Sequence, residues 1–149
     1  MLKSNLIQAV VVARDVNGVI RVAKSDDELP GIAIQLDGTL APAKQIISKL
    51  ETLLGTSGFE IINFLEPLLT KENGDKYLCY LIELKSSEFE IPKSWYTIAD
   101  ILRNFRQGKN RVTYNKVMQY MAGMANPNFK VVESDAELNK KITDHLDKN

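Results

Sequence analysis

The spacing of apolar and polar residues between Leu29 and Gly55 is the clearest pattern in this chain. From Ile32 to Leu36 large apolar residues alternate with alanine and glutamine, which predicts a strand with one apolar face. After Thr39 the period becomes that of a helix, with a stripe of Ala43, Ile46, Ile47, Leu50, Leu53 and Leu54. Pro42 suits the first helical turn, and Gly55 suits the left-handed position that follows a helix. The pattern therefore predicts a strand, a turn and an amphipathic helix.

Further strands are predicted on both sides of this unit. Residues from Leu6 to Ala13 are almost continuously apolar and rich in β-branched side chains, as in a buried strand. Asn17-Gly18 is a strong hairpin signal, so a returning strand should follow and end near Lys24. The stretch from Tyr77 to Leu84 is apolar on both faces except at Glu83, which predicts a central strand.

Helical patterns dominate the last third of the chain. A helix should run from about Trp95 to Phe105 with Thr97 as its cap, and a second from Thr113 to Met124. The final segment has a capping-box sequence and an apolar stripe of Leu138, Ile142 and Leu146. We therefore expect one α/β domain over residues 1–149, with a core at 1–125 and a C-terminal helical extension at 126–149.

Composition narrows the class of protein. Lys and Arg number 19, as do Asp and Glu, and this zero net charge argues against a nucleic-acid partner. The single cysteine, Cys79, excludes an internal disulfide and a Cys-rich zinc site. The polar start of the chain predicts no signal peptide, and no apolar run reaches the ~20 residues that span a bilayer. We expect a cytoplasmic protein with no membrane partner.

Several of these features occur together in a known family. The loop Leu29-Pro30-Gly31 precedes the predicted helix, a glycine ends that helix, a hairpin lies upstream, and a polar loop with Trp95 lies downstream. This arrangement resembles the Nudix family, whose signature is a Leu-Pro-Gly-Gly loop and a glutamate-rich helix that ends in glycine. The resemblance covers residues 6–124. It implies a mixed β-sheet sandwiched between helices and a cleft for nucleoside diphosphate derivatives.

The helix departs from the signature at the positions that carry its chemistry. Aligned on the glycine that ends the helix, the signature's Arg-Glu pair falls on Ser48 and Lys49 and its Glu-Glu pair on Thr52 and Leu53. In Nudix enzymes these glutamates hold Mg²⁺ or Mn²⁺, which bind the pyrophosphate and activate water. Glu51 is the only acidic residue on this helix. The degenerate Nudix box predicts that standard metal-dependent pyrophosphohydrolase activity is absent, with no catalytic or metal-binding residue and no cofactor.

Candidate ligand contacts are mainly cations with an aromatic residue nearby. The run from Arg103 to Arg111 offers long donors for phosphate oxygens, although cations are also favoured at helix ends. By resemblance, the cations that leave the second strand are a further anion contact, and ordinary strand-edge charge is the alternative. The tryptophan would close one side of a cleft or anchor the adjoining helix. The candidate set is Arg21, Lys24, Glu51, Trp95, Arg103 and Arg106.

Three functional hypotheses remain open at this point. The first is a Nudix-like domain that binds a nucleotide, a phosphorylated metabolite or a protein partner without the standard hydrolysis. The second is a hydrolase of nucleoside diphosphate derivatives whose Mg²⁺ or Mn²⁺ ligands have moved, built from Glu51 and a strand or loop glutamate. The third is a homodimeric interaction scaffold that uses Leu138, Ile142 and Leu146 of the last helix.

Overall fold

Five strands and three helices make up the part of the chain that the computed structural model describes, residues 2–24, 30–38, 41–71, 74–85, 89–105 and 110–124. In chain order they are β1 (Leu2–Arg14), β2 (Ile20–Val22), β3 (Ile32–Gln35), α1 (Pro42–Leu54), β4 (Phe59–Thr70), β5 (Lys76–Leu84), α2 (Ile98–Phe105) and α3 (Arg111–Gly123). The predicted C-terminal extension and its apolar stripe lie outside the described residues, so the dimer hypothesis stays a prediction.

The sheet is mixed, with the order β2-β1-β5-β4. Strand β1 is long enough to pair with two strands along one edge: β3 pairs with its central residues, from Leu6 to Ala9, and β2 pairs with its last residues. Along its other edge β1 runs parallel to β5, whereas the remaining pairings between named strands are antiparallel. Because parallel strands point the same way, Arg14 and Leu84 end at the same edge of the sheet.

Each face of the sheet is covered by a different helical layer. On one face α1 packs through Ala43, Ile46 and Leu50 against apolar side chains that include Val11, Tyr80 and Ile82. On the other face Ile101 of α2 and several residues of α3 pack against Val10, Val12, Cys79 and Leu81. In β1 and β5, adjacent residues alternate between the two layers, as a pleated strand requires. The predicted fold class, an α/β mixed sheet sandwiched between helices, is confirmed.

The predicted strand-turn-helix unit is present as β3 and α1. Gln45 fixes the turn by accepting a hydrogen bond from the Asp37 amide and donating one to the Asp37 carbonyl, at 2.6 and 3.2 Å. Pro42 opens the helix, and Gly55 ends it with φ 66°. Leu53, at the edge of the predicted apolar stripe in the last turn, is 60% exposed. The helix therefore buries a narrower face than its sequence predicts.

The connection from β5 to α2 crosses to the other side of the sheet. Tyr96 forms a two-bond bridge with Val22, at 2.7 and 2.9 Å, and so extends the sheet beyond β2. The helix consequently begins at Ile98, three residues later than predicted, and Thr97 is its cap as expected. Within the described ranges no helix combines the length and apolar character that a membrane span requires.

Candidate functional site

A pocket of about 400 Å³ opens at the carboxyl ends of β1 and β5. Ligand pockets occupy roughly 300–1,000 Å³, and in α/β sheets ligands commonly bind beyond the carboxyl ends of parallel strands. The position of this pocket agrees with both observations. Its lining residues come from the end of β1, the following hairpin, the end of β5 and the connection after it: Arg14, Asp15, Val16, Glu83, Leu84, Lys85 and Phe89.

Strand register brings the charged side chains of the pocket together. Val12 pairs with Glu83 in the parallel ladder. Arg14, the last residue of β1, therefore lies level with the end of β5. The Arg14 guanidinium donates to the backbone carbonyl of Met124, just beyond α3. Glu60 lies directly across from Glu83 in the antiparallel ladder. These charges therefore share the α3 side of the sheet.

Tyr120 of α3 fixes the position of Glu83. Its hydroxyl donates to Glu83 Oε1 at 2.8 Å. Burial raises the pKa of Tyr120 well above its usual value, and the Glu83 carboxylate raises this pKa further. The phenol therefore keeps its proton at neutral pH and remains a donor. This hydrogen bond holds the carboxylate of Glu83 in one orientation, and Glu83 is one of the residues that line the pocket.

The cation at the end of β5 is paired with a neighbouring strand. Lys85 Nζ lies 2.8 Å from Glu60 Oε2, and both side chains are partly exposed. A partly exposed pair of this type contributes ~0–1 kcal/mol to stability, so its geometry can change readily when a ligand anion approaches.

The hairpin wall of the pocket is held by Asp15 and Arg21. Arg21 Nε donates to Asp15 Oδ2 at 2.9 Å, while Asp15 Oδ1 accepts the amides of Asn17 and Val19. The hydrogen bond from Arg21 lowers the pKa of Asp15, and the two amides lower it further. Asp15 is therefore ionised and fully engaged with the hairpin at neutral pH.

Arg21 also ties the hairpin to the opposite wall. Its Nη1 donates to the carbonyls of Lys93 and Trp95 at 3.0 and 3.1 Å. Trp95 is 5% exposed and contacts the ring of Phe89, with centroids 6.0 Å apart. The structure thus places Trp95 behind the pocket-lining Phe89, in the α1-side core. Arg21 therefore connects the two walls, because it binds the Asp15 carboxylate on one and two backbone carbonyls on the other.

The remaining candidates from the sequence lie elsewhere. Lys24 Nζ sits 5.5 Å from the ring centroid of Tyr96. Arg103 is exposed, with Nη2 3.4 Å from Asp100 Oδ1. Arg106 lies outside the described residues, and Glu51 is exposed on α1. The structure does not gather these candidates into one site, and ligand binding by them stays a prediction.

Of the carboxylates that could form a relocated metal site, those whose side chains the structure describes are divided between the two faces. Glu60 and Glu83 lie on the α3 side, whereas Glu51 belongs to α1 on the other side. Asp37, in the turn before α1, is paired with Lys49 at 3.0 Å. Among the side chains that the structure describes, no group of three or more His, Cys, Asp and Glu residues is placed to hold a metal ion. The described residues around α1 do not fit the Mg²⁺ or Mn²⁺ site of the second hypothesis.

Sequence reasoning missed most of the pocket. Arg14 and Lys85 each end an almost continuously apolar run, which was the available signal. Two such cations meet only if their strands are parallel neighbours, and the sequence does not reveal that pairing. Phe89 and Tyr120 likewise gave no sign of their positions, because both depend on packing between distant segments.

Comparisons with known proteins give one structural match to report. No protein-family model matches the sequence, and no curated protein matches it. A crystal structure of a Nudix hydrolase from M. smegmatis, RenU, aligns over 84% of this chain and 90% of that chain, with a TM-score of 0.48 and 9% sequence identity. The description applies to that protein and assigns no activity to this chain.

Proposed function

We propose that this chain is a binding domain that takes a nucleotide or another phosphorylated metabolite in the pocket at the carboxyl ends of β1 and β5. The observation that carries the proposal is the convergence of Arg14, Lys85 and Phe89 on one pocket of about 400 Å³. Two cations beside an aromatic ring match the two halves of a nucleotide, its phosphate and its base.

Each of these side chains has a physical role toward such a ligand. The planar guanidinium of Arg14 can donate two parallel hydrogen bonds to phosphate, and Lys85 adds a compact positive charge. The ring of Phe89 offers a face on which a base can stack, a contact worth ~1–3 kcal/mol. Trp95 packs against that ring, and Arg21 donates a hydrogen bond to the Trp95 carbonyl. The pocket thus combines charge with a supported apolar wall.

We further propose that binding occurs without the standard metal-dependent hydrolysis of Nudix enzymes. The signature positions on α1 carry Ser48, Lys49, Thr52 and Leu53, and none of these side chains is a hard-cation ligand of the carboxylate type. Lys49 instead forms an ion pair with Asp37. The proposed pocket lies at the carboxyl ends of β1 and β5 and uses no residue of α1.

Titration with nucleotides tests the binding proposal. The only tryptophan, Trp95, contacts the pocket-lining Phe89, so its fluorescence should change when AMP or ADP binds in EDTA-containing buffer. Calorimetry then gives the dissociation constant. We expect Lys85→Gln to weaken binding roughly five- to tenfold through loss of one charge contact. Lys76→Gln, at the opposite end of β5, should leave the affinity unchanged.

Two results would contradict this proposal. Lack of heat and fluorescence change with every nucleotide and with ribose 5-phosphate would rule out the ligand class. Equal affinities for the Lys85→Gln, Lys76→Gln and unmodified chains would move the site elsewhere. A separate incubation with Mg²⁺ or Mn²⁺ and a nucleoside diphosphate derivative tests the proposal that standard metal-dependent hydrolysis is absent. Metal-dependent turnover that Glu51→Gln abolishes would establish the relocated hydrolase instead.

A further inference from the structure

We infer that Glu83 is the specificity-determining residue of the pocket and that it selects ligands with one phosphate group over those with two or three. This inference rests on the proposed function and names the ligand class of the same site. It follows from the charges that line the pocket, from the way Glu83 is held and from the partner of Lys85.

The charges that line the pocket balance. Arg14 and Lys85 are positive, while Asp15 and Glu83 are negative. A site built for a triphosphate normally presents an excess of positive charge, supplied by several cations or a metal ion. Here the cations match one phosphate group. Because Asp15 is already paired with Arg21, each further phosphate would bring uncompensated negative charge mainly toward Glu83.

The Glu83 side chain keeps its position when a ligand binds, because it is held in place by a hydrogen bond. The Tyr120 hydroxyl donates to Glu83 Oε1 at 2.8 Å, and Tyr120 itself is buried at 5% exposure. Withdrawal of the carboxylate from the pocket would break this bond and leave a buried phenol to find another acceptor. The negative charge therefore stays beside the ligand, where it repels additional phosphates.

The pairing of Lys85 adds to this limit. Its ammonium lies 2.8 Å from Glu60 Oε2, and Glu60 is the cross-strand neighbour of Glu83. Lys85 thus shares its charge between a protein carboxylate and the ligand. A fixed carboxylate can at the same time accept a hydrogen bond from a hydroxyl or amino group, as carboxylates do toward ribose hydroxyls at the ends of strands. Such a site favours a phosphate monoester with donors over a polyphosphate.

A series of ligands with one base tests this inference. Dissociation constants for AMP, ADP and ATP are measured by calorimetry in EDTA at low ionic strength. We expect affinity to fall from AMP to ATP by several-fold for each added phosphate group, because like charges at about 5 Å repel in a partly aqueous site. Higher salt should reduce the difference. The series uses the unmodified chain and so does not depend on any variant.

The variant Glu83→Gln assigns the effect to one residue. Glutamine keeps an acceptor for the Tyr120 hydroxyl and nearly the same shape, but it removes the charge. We expect the ratio of ATP to AMP dissociation constants to fall on the order of tenfold in this variant. Glu90→Gln changes the net charge by the same amount at an exposed position between β5 and α2. This control should leave the ratio of the ATP and AMP dissociation constants unchanged.

The possible results separate this inference from the proposed function. Tighter binding of ATP than of AMP by the unmodified chain would overturn the inference and leave the binding proposal intact. An unchanged ratio in Glu83→Gln, or an equal change in Glu90→Gln, would also overturn the role of Glu83. Absence of binding by all three nucleotides would overturn this inference, and absence of binding by ribose 5-phosphate as well would overturn the proposed function itself.

Discussion

At the scale of single residues, Gly31 shows how a motif residue can be explained by packing alone. Its φ is +98°, and its amide donates to the Ala23 carbonyl at 2.8 Å. A β-carbon at this position would lie 2.5 Å from the backbone oxygen of Ala9 in β1. Only glycine tolerates both the dihedral angle and this approach without a shift of the backbone. The glycine of the Leu-Pro-Gly loop is therefore required by the sheet edge, whatever binds nearby.

We expect Gly31→Ala to destabilise the chain by roughly 3 kcal/mol or more, since it adds a collision with backbone to an unfavourable φ. Gly38→Ala is a matched control, because Gly38 has φ +74° but open space around its missing side chain. That change should cost only ~1 kcal/mol. Urea unfolding followed by circular dichroism measures both. Equal destabilisation by the two substitutions would show that the approach to Ala9 is unimportant.

Arg21 illustrates the difference between the chemistry of a residue and its place. The family resemblance implied an anion contact for this residue, with ordinary strand-edge charge as the alternative. In the structure its donors reach Asp15 and two backbone carbonyls, and its side chain is 16% exposed. A guanidinium has five donors, so it can join three segments in a way that lysine cannot. The guanidinium donors that would suit a phosphate are used in this structure to support the pocket walls.

At the scale of elements, α2 depends on a reciprocal cap at its start. Thr97 Oγ1 accepts the Asp100 amide at 3.2 Å, and Asp100 Oδ2 accepts the Thr97 amide at 2.9 Å. These bonds satisfy two donors that a helix start otherwise leaves without partners. The hydrogen bond from the Thr97 amide lowers the pKa of Asp100, which keeps the carboxylate ionised near the positive end of the helix.

Thr97→Ala should lower the free energy of unfolding by about 1 kcal/mol through loss of one half of this cap. Thr52→Ala provides the matched control within α1. There the threonine hydroxyl donates to the Ser48 carbonyl on an exposed turn, and alanine has the better helix propensity. That substitution should be neutral or slightly stabilising. If both changes had the same effect in thermal unfolding, the cap would contribute nothing specific.

Strand β4 contains a bulge that the periodicity of its sequence does not reveal. Ile61 pairs with Ile82, but Asn63 pairs with Leu81, so Ile62 is an extra residue in the ladder. This bulge changes which alternate residues face each layer: Ile61 and Phe64 pack on the α1 side, and Ile62 and Leu65 pack on the α3 side. A strict period of two would assign half of the strand to the wrong face.

At the scale of the whole molecule, the sheet is the shared layer between two apolar cores. Strands β1 and β5 contribute side chains to both cores, and most of these side chains are fully buried. Because the same strands support both helical layers, loss of one core exposes the strand residues on which the other depends. We therefore expect the described part of the chain to unfold as one cooperative unit.

Leu50→Ala tests that expectation from the α1 side. Leu50 is fully buried against the sheet, so the substitution should cost about 2–5 kcal/mol. Leu53→Ala changes the same residue type three positions later, where the side chain is 60% exposed, and should cost no more than ~0.5 kcal/mol. Trp95 fluorescence and far-ultraviolet circular dichroism should give coincident transitions. Separate transitions would mean that the two cores unfold independently.

Much of the local structure follows from the sequence. The continuous apolar run of β5, the hairpin at Asn17-Gly18 and the glycine that ends α1 were each predicted within a few residues of their observed positions. The cap at Thr97 was also predicted. These features depend on residues that lie within one or two turns of each other, so a single sequence contains the information. The patterns of strands and helices predicted an α/β domain, and the arrangement of a mixed sheet between helices was implied by the family resemblance.

The sequence alone therefore determined the approximate positions of most strands and helices and the apolar stripe of α1, and it shows that Glu51 is the only acidic residue of that helix. Only the tertiary structure decided that β1 and β5 are parallel neighbours, and hence that Arg14, Glu83 and Lys85 share a pocket. The physical reason is that periodicity arises from nearest neighbours along the chain, whereas strand order is set by the packing of residues more than sixty positions apart. A binding site assembled from strand ends depends on the second kind of information.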